Sequence, residues 1–375
     1  MPSRRDFLKL TSVAALGAAL PLGRRGPLPP RAPARRHPAL RRPFDILPPD
    51  AWPENVPLGR GVLGWGAPIL NRPHRDGTMI GPDSYVYPNE VVRIVRSVVG
   101  LGVDNYSHLW FELEDGYIYA SYLQPVMHSP QIPLTSLPPE GYWGEIVTPY
   151  FDARTAPDPA APQVYYLDLP VPVIYSSVFF LAEIATGTDG LPWYRVTTET
   201  ELNLWIPATT FRIIQPDELS PLSPGVPAQE KKVVVYLEQQ ALSAFEGSRE
   251  VFRTTISSGR DYFAEDGETV LNGTPLGPHV IGTKRVSRHM VGSDYTDPGI
   301  GWVSYFSTNG AALHSTYWHN SYGLRQSHGC INCRPADAKW LFRWTMPEVP
   351  YHPGIVNVHW YETDRITTVD LKESA

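Results

Sequence analysis

The sequence predicts a mainly β protein. Forty prolines and thirty glycines interrupt its 375 residues, few windows sustain a helical period, and short runs rich in Val, Ile, Tyr and Trp recur between turn signals. At 42% hydrophobic and 19% charged, the chain can bury sizeable cores, and its length accommodates two or three domains.

Residues 1–23 read as an export signal. Ser3-Arg4-Arg5-Asp6-Phe7-Leu8-Lys9 precedes a weakly apolar run, Leu10 to Leu22, and paired arginines before such a run are the twin-arginine pattern. The run is shorter than the ~20 residues a stable span needs. Ala18 and Ala19 suit a peptidase, but no clean A-x-A precedes Pro21, so a cleaved signal and a retained anchor both stay open. Either outcome places the protein in the periplasm, at the cell wall or outside the cell. Residues 24–58 follow as an Arg/Pro-rich linker. Between Arg24 and Arg42 lie seven arginines, five prolines and no acid, a composition for a solvated tether that can also touch an anionic wall polymer or membrane surface. Beyond residue 42 there are 22 Lys+Arg against 37 Asp+Glu, a net charge near −15, which argues against nucleic acid as a partner.

Two stretches read as a diverged repeat. One is Trp110-Phe111-Glu112-Leu113-Glu114-Asp115-Gly116-Tyr117-Ile118-Tyr119-Ala120. The other runs from Asp189-Gly190-Leu191-Pro192-Trp193 to Leu204-Trp205-Ile206-Pro207. Each sets Trp-led, β-prone runs beside an Asp-Gly turn signal. They resemble the small bacterial barrels of the Src-homology-3 type, expected over residues 59–156 and 163–215. Their aromatic rings are expected to fill barrel cores rather than dock sugars or peptides. The stretch Pro157 to Pro162 separates the two. Residues 216–229, with Ser220-Pro221-Leu222-Ser223-Pro224, read as a stiff hinge before the last domain.

The chemistry concentrates near the end, in Ser327-His328-Gly329-Cys330-Ile331-Asn332, with His314-Ser315 sixteen residues before the cysteine. A thiol attacks carbonyls as thiolate and needs a base or a positive field at neutral pH; histidine supplies either. Gly329 allows a sharp turn whose amides could meet an oxyanion. Two histidines are candidates for the base: His328, two residues from the sulfur, and His314, which must arrive from a separate strand.

These residues resemble the L,D-transpeptidases of bacterial cell walls, the YkuD-type catalytic domain, whose pattern is a histidine, a spacer, then Ser/Thr-His-Gly-Cys-hydrophobic-Asn. Val233-Val234-Val235-Tyr236-Leu237 with Gln240 and Leu242, Thr255-Ile256-Ser257-Ser258-Gly259, and Gly273-Thr274-Pro275-Leu276-Gly277 are similar to further segments of that family. Pro278-His279 and Cys333 depart from its usual residues. The resemblance implies a β-sandwich-like catalytic domain over 230–365, with peptidoglycan stem peptides as substrate. It implies Cys330 as nucleophile, His314 as proton donor and acceptor, the Ser315 carbonyl orienting His314, and His328 in support. The amides of Gly329 and Cys330 are candidates for the oxyanion hole. The implied reaction is attack at the bond between an L-centre and a terminal D-alanine, then transfer of the thioester to an amine, or to water in an L,D-carboxypeptidase. No metal and no cofactor are required.

Tyr317, Trp318, Arg325 and Asn332 are candidates for substrate contact, with Asn332 better suited to holding the loop through hydrogen bonds to backbone. Arg285 to Ile300 lacks periodicity and reads as a loop that could cover the pocket. Trp340, Leu341 and Trp344 fall at helical spacing and belong in a core. A different class is also open. Cys330-Ile331-Asn332-Cys333 is formally C-x-x-C and, with His314, His319, His328, His352 and His359, would suit a metal or thiol-redox module, although no second C-x-x-C is present. A third reading is a wall-binding protein without catalysis.

Overall fold

The computed structural model describes residues 46–166, 168–200, 202–263, 269–270, 273–292, 295–359, 362 and 365–374. The twin-arginine segment and the Arg24–Arg42 tether lie outside these residues. The described chain is mainly β, and none of its helices is long and apolar enough to cross a membrane.

The chain is already packed at residue 46, earlier than the expected end of the linker at 58. Trp52 is buried with Leu58, Val91 and Val126, and its indole N–H donates to the Leu47 carbonyl at 3.0 Å. A Trp and two Leu cannot stay solvated when an open sheet face lies within reach, and this overrides the proline content.

The upstream part builds two cores. In the first, strand Leu58–Gly61 lies between Val91–Arg93 and Leu123–Val126, and Leu109–Glu112 lies between Arg96–Val99 and Tyr117–Tyr119. Ile69, Val86, Phe111, Ile118 and Leu123 fill the space between. In the second, five strands run in the order Asn203–Pro207, Pro192–Thr197, Val178–Thr186, Tyr142–Ile146, Phe211–Ile214 around Phe179, Tyr194, Val196 and Ile206. Tyr142–Ile146 thus belongs to the second sheet, although it precedes the Pro157–Pro162 stretch. Both Asp-Gly pairs sit at turns: Leu113 N–H donates to the Gly116 carbonyl, and Gly190 adopts φ 76°. Trp110 and Trp193 are almost wholly buried, so these rings are core and not docking surface.

The segment from residue 231 onward pairs two five-stranded sheets. One is ordered Arg249–Thr255, Ala241–Glu246, Lys231–Tyr236, Thr368–Lys372, Gly277–Val280. The other is ordered Ile331–Cys333, Ala312–Ser315, Thr296–Tyr305, Thr283–Val291, Ile355–Asn357. Val233, Val235, Leu242, Trp302, Leu313 and Ile331 meet in one core. Helix Pro335–Trp344 starts with proline, whose missing N–H costs nothing there, and buries Ala338, Leu341, Phe342 and Trp344. Trp340 stacks on Phe252 at 4.2 Å. Residues 285–300, read as an aperiodic loop, instead contribute to a long hairpin; a bulge between Arg288 and Met290 breaks the two-residue alternation that a sequence reading looks for.

The expected hinge is strapped down. Leu219 is buried in the catalytic core, Leu222 N–H donates to the Arg343 carbonyl, and Glu218 joins Arg212 of the second sheet to Lys339 of the helix. The helix C-terminus, whose last carbonyls lack intrahelical donors, is served by two buried lysines. Lys231 Nζ donates to the carbonyls of Trp344 at 3.0 Å and Leu222 at 2.9 Å. Lys284 Nζ donates to those of Phe342, Thr345 and Pro347. Burial holds the Lys284 ammonium well below the usual lysine range. Replacing Lys284 with Met orphans three buried carbonyls and is expected to lower unfolding free energy by about 2 kcal/mol or more in urea titration; parental stability would contradict this capping role.

Candidate active site

The site is set by one strand pairing. Ala312–Ser315 and Ile331–Cys333 run parallel with His314 opposite Asn332. Side chains alternate along a strand, so Leu313, Ile331 and Cys333 enter the core while His314 and Asn332 face the other side. Cys330, two residues before Asn332, falls on that same side. His314 and Cys330 both line a cavity of about 360 Å³.

The loop before Cys330 is fixed by its own sequence. Gly329 holds φ 113°, the left-handed region that glycine enters without strain. The Ser327 hydroxyl donates to the Cys330 carbonyl at 2.5 Å and accepts the Gly329 N–H at 3.2 Å. That amide is therefore committed within the loop, leaving the N–H of Cys330 as the other oxyanion candidate. Behind the loop, Ser258 accepts the N–H groups of Gln326 and Ser327, and Asn332 exchanges backbone bonds with Ser257. Gln240, buried, holds Ser258 in turn: its Oε1 accepts the Ser258 N–H at 2.8 Å and its Nε2 donates to Ser258 Oγ at 2.7 Å. The Thr255–Gly259 segment is thus the backing of the nucleophile loop.

His314 Nδ1 lies 2.7 Å from the Ser315 carbonyl. A carbonyl only accepts, so Nδ1 carries the hydrogen and Nε2 is left as the acceptor. Burial lowers the imidazole to about 4, against a smaller opposing effect of that carbonyl. Cys330 is only partly exposed, on a protein-walled cavity, and the lost solvation pushes its thiol up to about 11, partly offset by the Ala312 backbone. Burial thus disfavours both charged forms, the Cys330 thiolate and the His314 imidazolium, where the two side chains line the same cavity.

The other candidates divide. Trp318 lines the cavity, and His328 lines it with its ring stacked on Tyr295 at 5.6 Å. Tyr317 does not: it is buried in the core and its hydroxyl donates to the Pro298 carbonyl at 2.9 Å. Arg325 is paired with Glu373 at 3.0 Å, away from the cavity lining, because the last strand brings that carboxylate beside it. Asn332 is fully buried and neither its amide oxygen nor its nitrogen has a hydrogen-bond partner, so its side chain does not hold the loop. Cys333, three residues from Cys330, points to the opposite face into the core, so the two sulfurs cannot converge on one ion. Among the described residues, no three His, Cys, Asp or Glu side chains are grouped to hold a metal.

A further histidine, considered above only for a metal or redox module, joins the cavity. His319 is buried on the cavity, and its Nδ1 accepts the Ser321 N–H at 3.1 Å. Burial, then the neighbouring His314 and Arg334, push it down to about 3. Its neutral Nε2–H has no partner.

Residues 230–356 match the YkuD model, the L,D-transpeptidase catalytic domain. No curated protein matches the chain. Among solved structures, an L,D-transpeptidase from Xylanimonas cellulosilytica is 26% identical over 38% of this chain and 60% of that one, with a TM-score of 0.26. One from Stackebrandtia nassauensis is 22% identical over 39% and 56%, TM-score 0.27. One from Mycobacterium tuberculosis is 18% identical over 45% and 64%, TM-score 0.29. This chain therefore spans less than two thirds of each, and the transpeptidase assignment of 230–356 rests on the family match.

With the thiol near 11, the thiolate fraction rises about tenfold per pH unit at neutral pH. Alkylation of Cys330 by iodoacetamide, followed by intact mass, is expected to accelerate steadily from about pH 7 to about pH 10. A rate already flat from pH 7 upward would mean a standing thiolate.

Proposed function

We propose that the protein is a peptidoglycan L,D-transpeptidase in which Cys330 and His314 carry acyl transfer between stem peptides. The observation that carries this reading is the placement of the Cys330 thiol and the tautomer-fixed His314 on one face of one strand pair, opening into one cavity within the segment matched as an L,D-transpeptidase domain.

The steps follow from the protonation states. As the sulfur approaches the carbonyl between the L-centre and D-alanine, its proton passes to His314 Nε2. A neutral imidazole can accept it without first losing a proton of its own. The C–S bond forms, the Cys330 N–H meets the oxyanion, and the C–N bond breaks as His314 returns the proton to the departing amine of D-alanine. The acceptor amine of a second stem then attacks the thioester, giving its proton to His314, and the thiol is regenerated. A 3→3 cross-link between diamino residues is the product. Water in place of the amine makes the same site an L,D-carboxypeptidase. The Src-homology-3 likeness of the upstream units, export by the twin-arginine route and contact of the basic tether with wall or membrane belong to the same proposal.

Incubation with isolated sacculi, followed by muropeptide mass spectrometry, is expected to yield new dimers lacking one D-alanine. Cys330→Ala should lower their formation by about a thousandfold or more. Dimers forming at the parental rate without the thiol would refute the mechanism, and trimmed monomers alone would assign hydrolysis.

A further inference from the structure

The cavity is closed by a wall that the catalytic segment does not supply. Opposite Cys330, His314 and Asn332 stand Leu63, Trp65, Asp104, Tyr119, Ser121 and Tyr122, all from the first upstream unit. This wall is anchored. The buried Arg60 guanidinium donates to the Tyr317 carbonyl at 2.6 Å and to Gln124 at 2.9 Å, and Asn320 Nδ2 donates to the Ala120 carbonyl at 2.9 Å. Both catalytic partners, Tyr317 and Asn320, lie in the spacer between the catalytic histidine and the cysteine.

The lining has a definite charge. Among the described residues it contains two carboxylates, Asp104 and Asp297, the exposed imidazole of His328, and no lysine or arginine. Burial keeps the imidazoles of His314 and His319 neutral at neutral pH. Asp104 Oδ1 accepts the N–H groups of Tyr106 and Ser107, which fixes the carboxylate at the rim. Its negative charge is felt around it: burial and, after it, Asp104 push the phenols of Tyr119 and Tyr122 up to about 12. Beside it, Trp65, 45% exposed, meets Tyr122 edge to face at 6.2 Å. Carboxylate with aromatic faces is a receptor for an ammonium on an apolar stem. Among the lining residues, His319 Nε2–H and the Asn332 side-chain amide are buried without a hydrogen-bond partner.

We propose that the first upstream unit is part of the substrate site, and that Asp104 binds the side-chain ammonium of the donor stem residue being acylated, with Trp65 and Tyr122 packing on its carbon chain. This rests on the transpeptidase reading above. The donor is favoured over the acceptor because ion pairing holds an amine protonated, and a protonated amine cannot attack a thioester. The acceptor must enter elsewhere, with its amine uncharged.

The test compares two synthetic tetrapeptides ending in D-alanine, alike except that the side-chain amine of the third residue is free in one and acetylated in the other. D-alanine release gives kcat/KM for each, and the readout is the ratio. The parent is expected to favour the free amine by about tenfold or more, the scale of one charge-assisted hydrogen bond. Asp104→Asn, which keeps an oxygen for the Tyr106 and Ser107 amides, should bring the ratio near one. Val103→Lys, on the same lining, should do so independently by offering the carboxylate an internal cation. A parental ratio near one, or a ratio unchanged in both variants, overturns the proposal. Nitrocefin separates the two levels: a parent whose Cys330 is acylated by nitrocefin but shows no amine preference refutes this inference alone, whereas a parent inert to nitrocefin and to both peptides refutes the transpeptidase reading and this inference with it.

Discussion

The site depends on the parallel pairing of Ala312–Ser315 with Ile331–Cys333. That ladder places His314 opposite Asn332 and sends Leu313, Ile331 and Cys333 into the core, so the face left for chemistry carries the imidazole, the amide and, one alternation earlier, the thiol. A slip of one residue would put the catalytic groups among Val233, Leu242 and Trp302 and expose three apolar or weakly polar side chains. The register is therefore held by the burial energy of the whole catalytic core, and the chemistry inherits its precision from packing.

At this pairing, burial disfavours charge on the imidazoles and the thiol. His314, His319 and Cys330 all have their ionised forms disfavoured by burial, and the Ser315 carbonyl fixes which nitrogen of His314 can take a proton. Such a site stores no thiolate that could react with whatever diffuses in. In the mechanism proposed above, charge develops only when a carbonyl is in place to receive the sulfur's electrons and His314 to receive its proton. The closing wall from the first upstream unit is tied through Arg60 and Asn320 to the spacer that precedes the loop.

The geometry of the loop before Cys330 was legible because its information is local. Gly329 is needed for a φ of 113°, Ser327 spans the turn with two hydrogen bonds, and the spacing from His314 is what two adjacent strands require. Helix Pro335–Trp344 was legible for the same reason: proline at its start and aromatics at helical spacing. What failed depended on partners distant in sequence. Arg325 is claimed by Glu373 and Tyr317 by Pro298. Tyr142–Ile146 is drawn across a proline-rich stretch into the second sheet. The hairpin at 283–305 hid behind its bulge. Trp65, Asp104 and Tyr122 gave no signal, since nothing local tells a core aromatic from one that faces a site contributed by a segment some two hundred residues later. Asn332 marks the opposite limit: its place in the motif was plain, yet its lack of a partner could be seen only once its surroundings were known.

The central claim is that His314 rests as a neutral, Nδ1-protonated imidazole on the cavity that it shares with a neutral Cys330 thiol. Nitrogen-15 NMR of the imidazole through a pH titration tests this most directly. The account predicts an Nδ1–H tautomer that stays neutral down to about pH 4 and is unaffected at neutral pH by Cys330→Ala. An imidazolium persisting at neutral pH, or one whose charge disappears when the sulfur is removed, would show a thiolate–imidazolium pair at rest and contradict it.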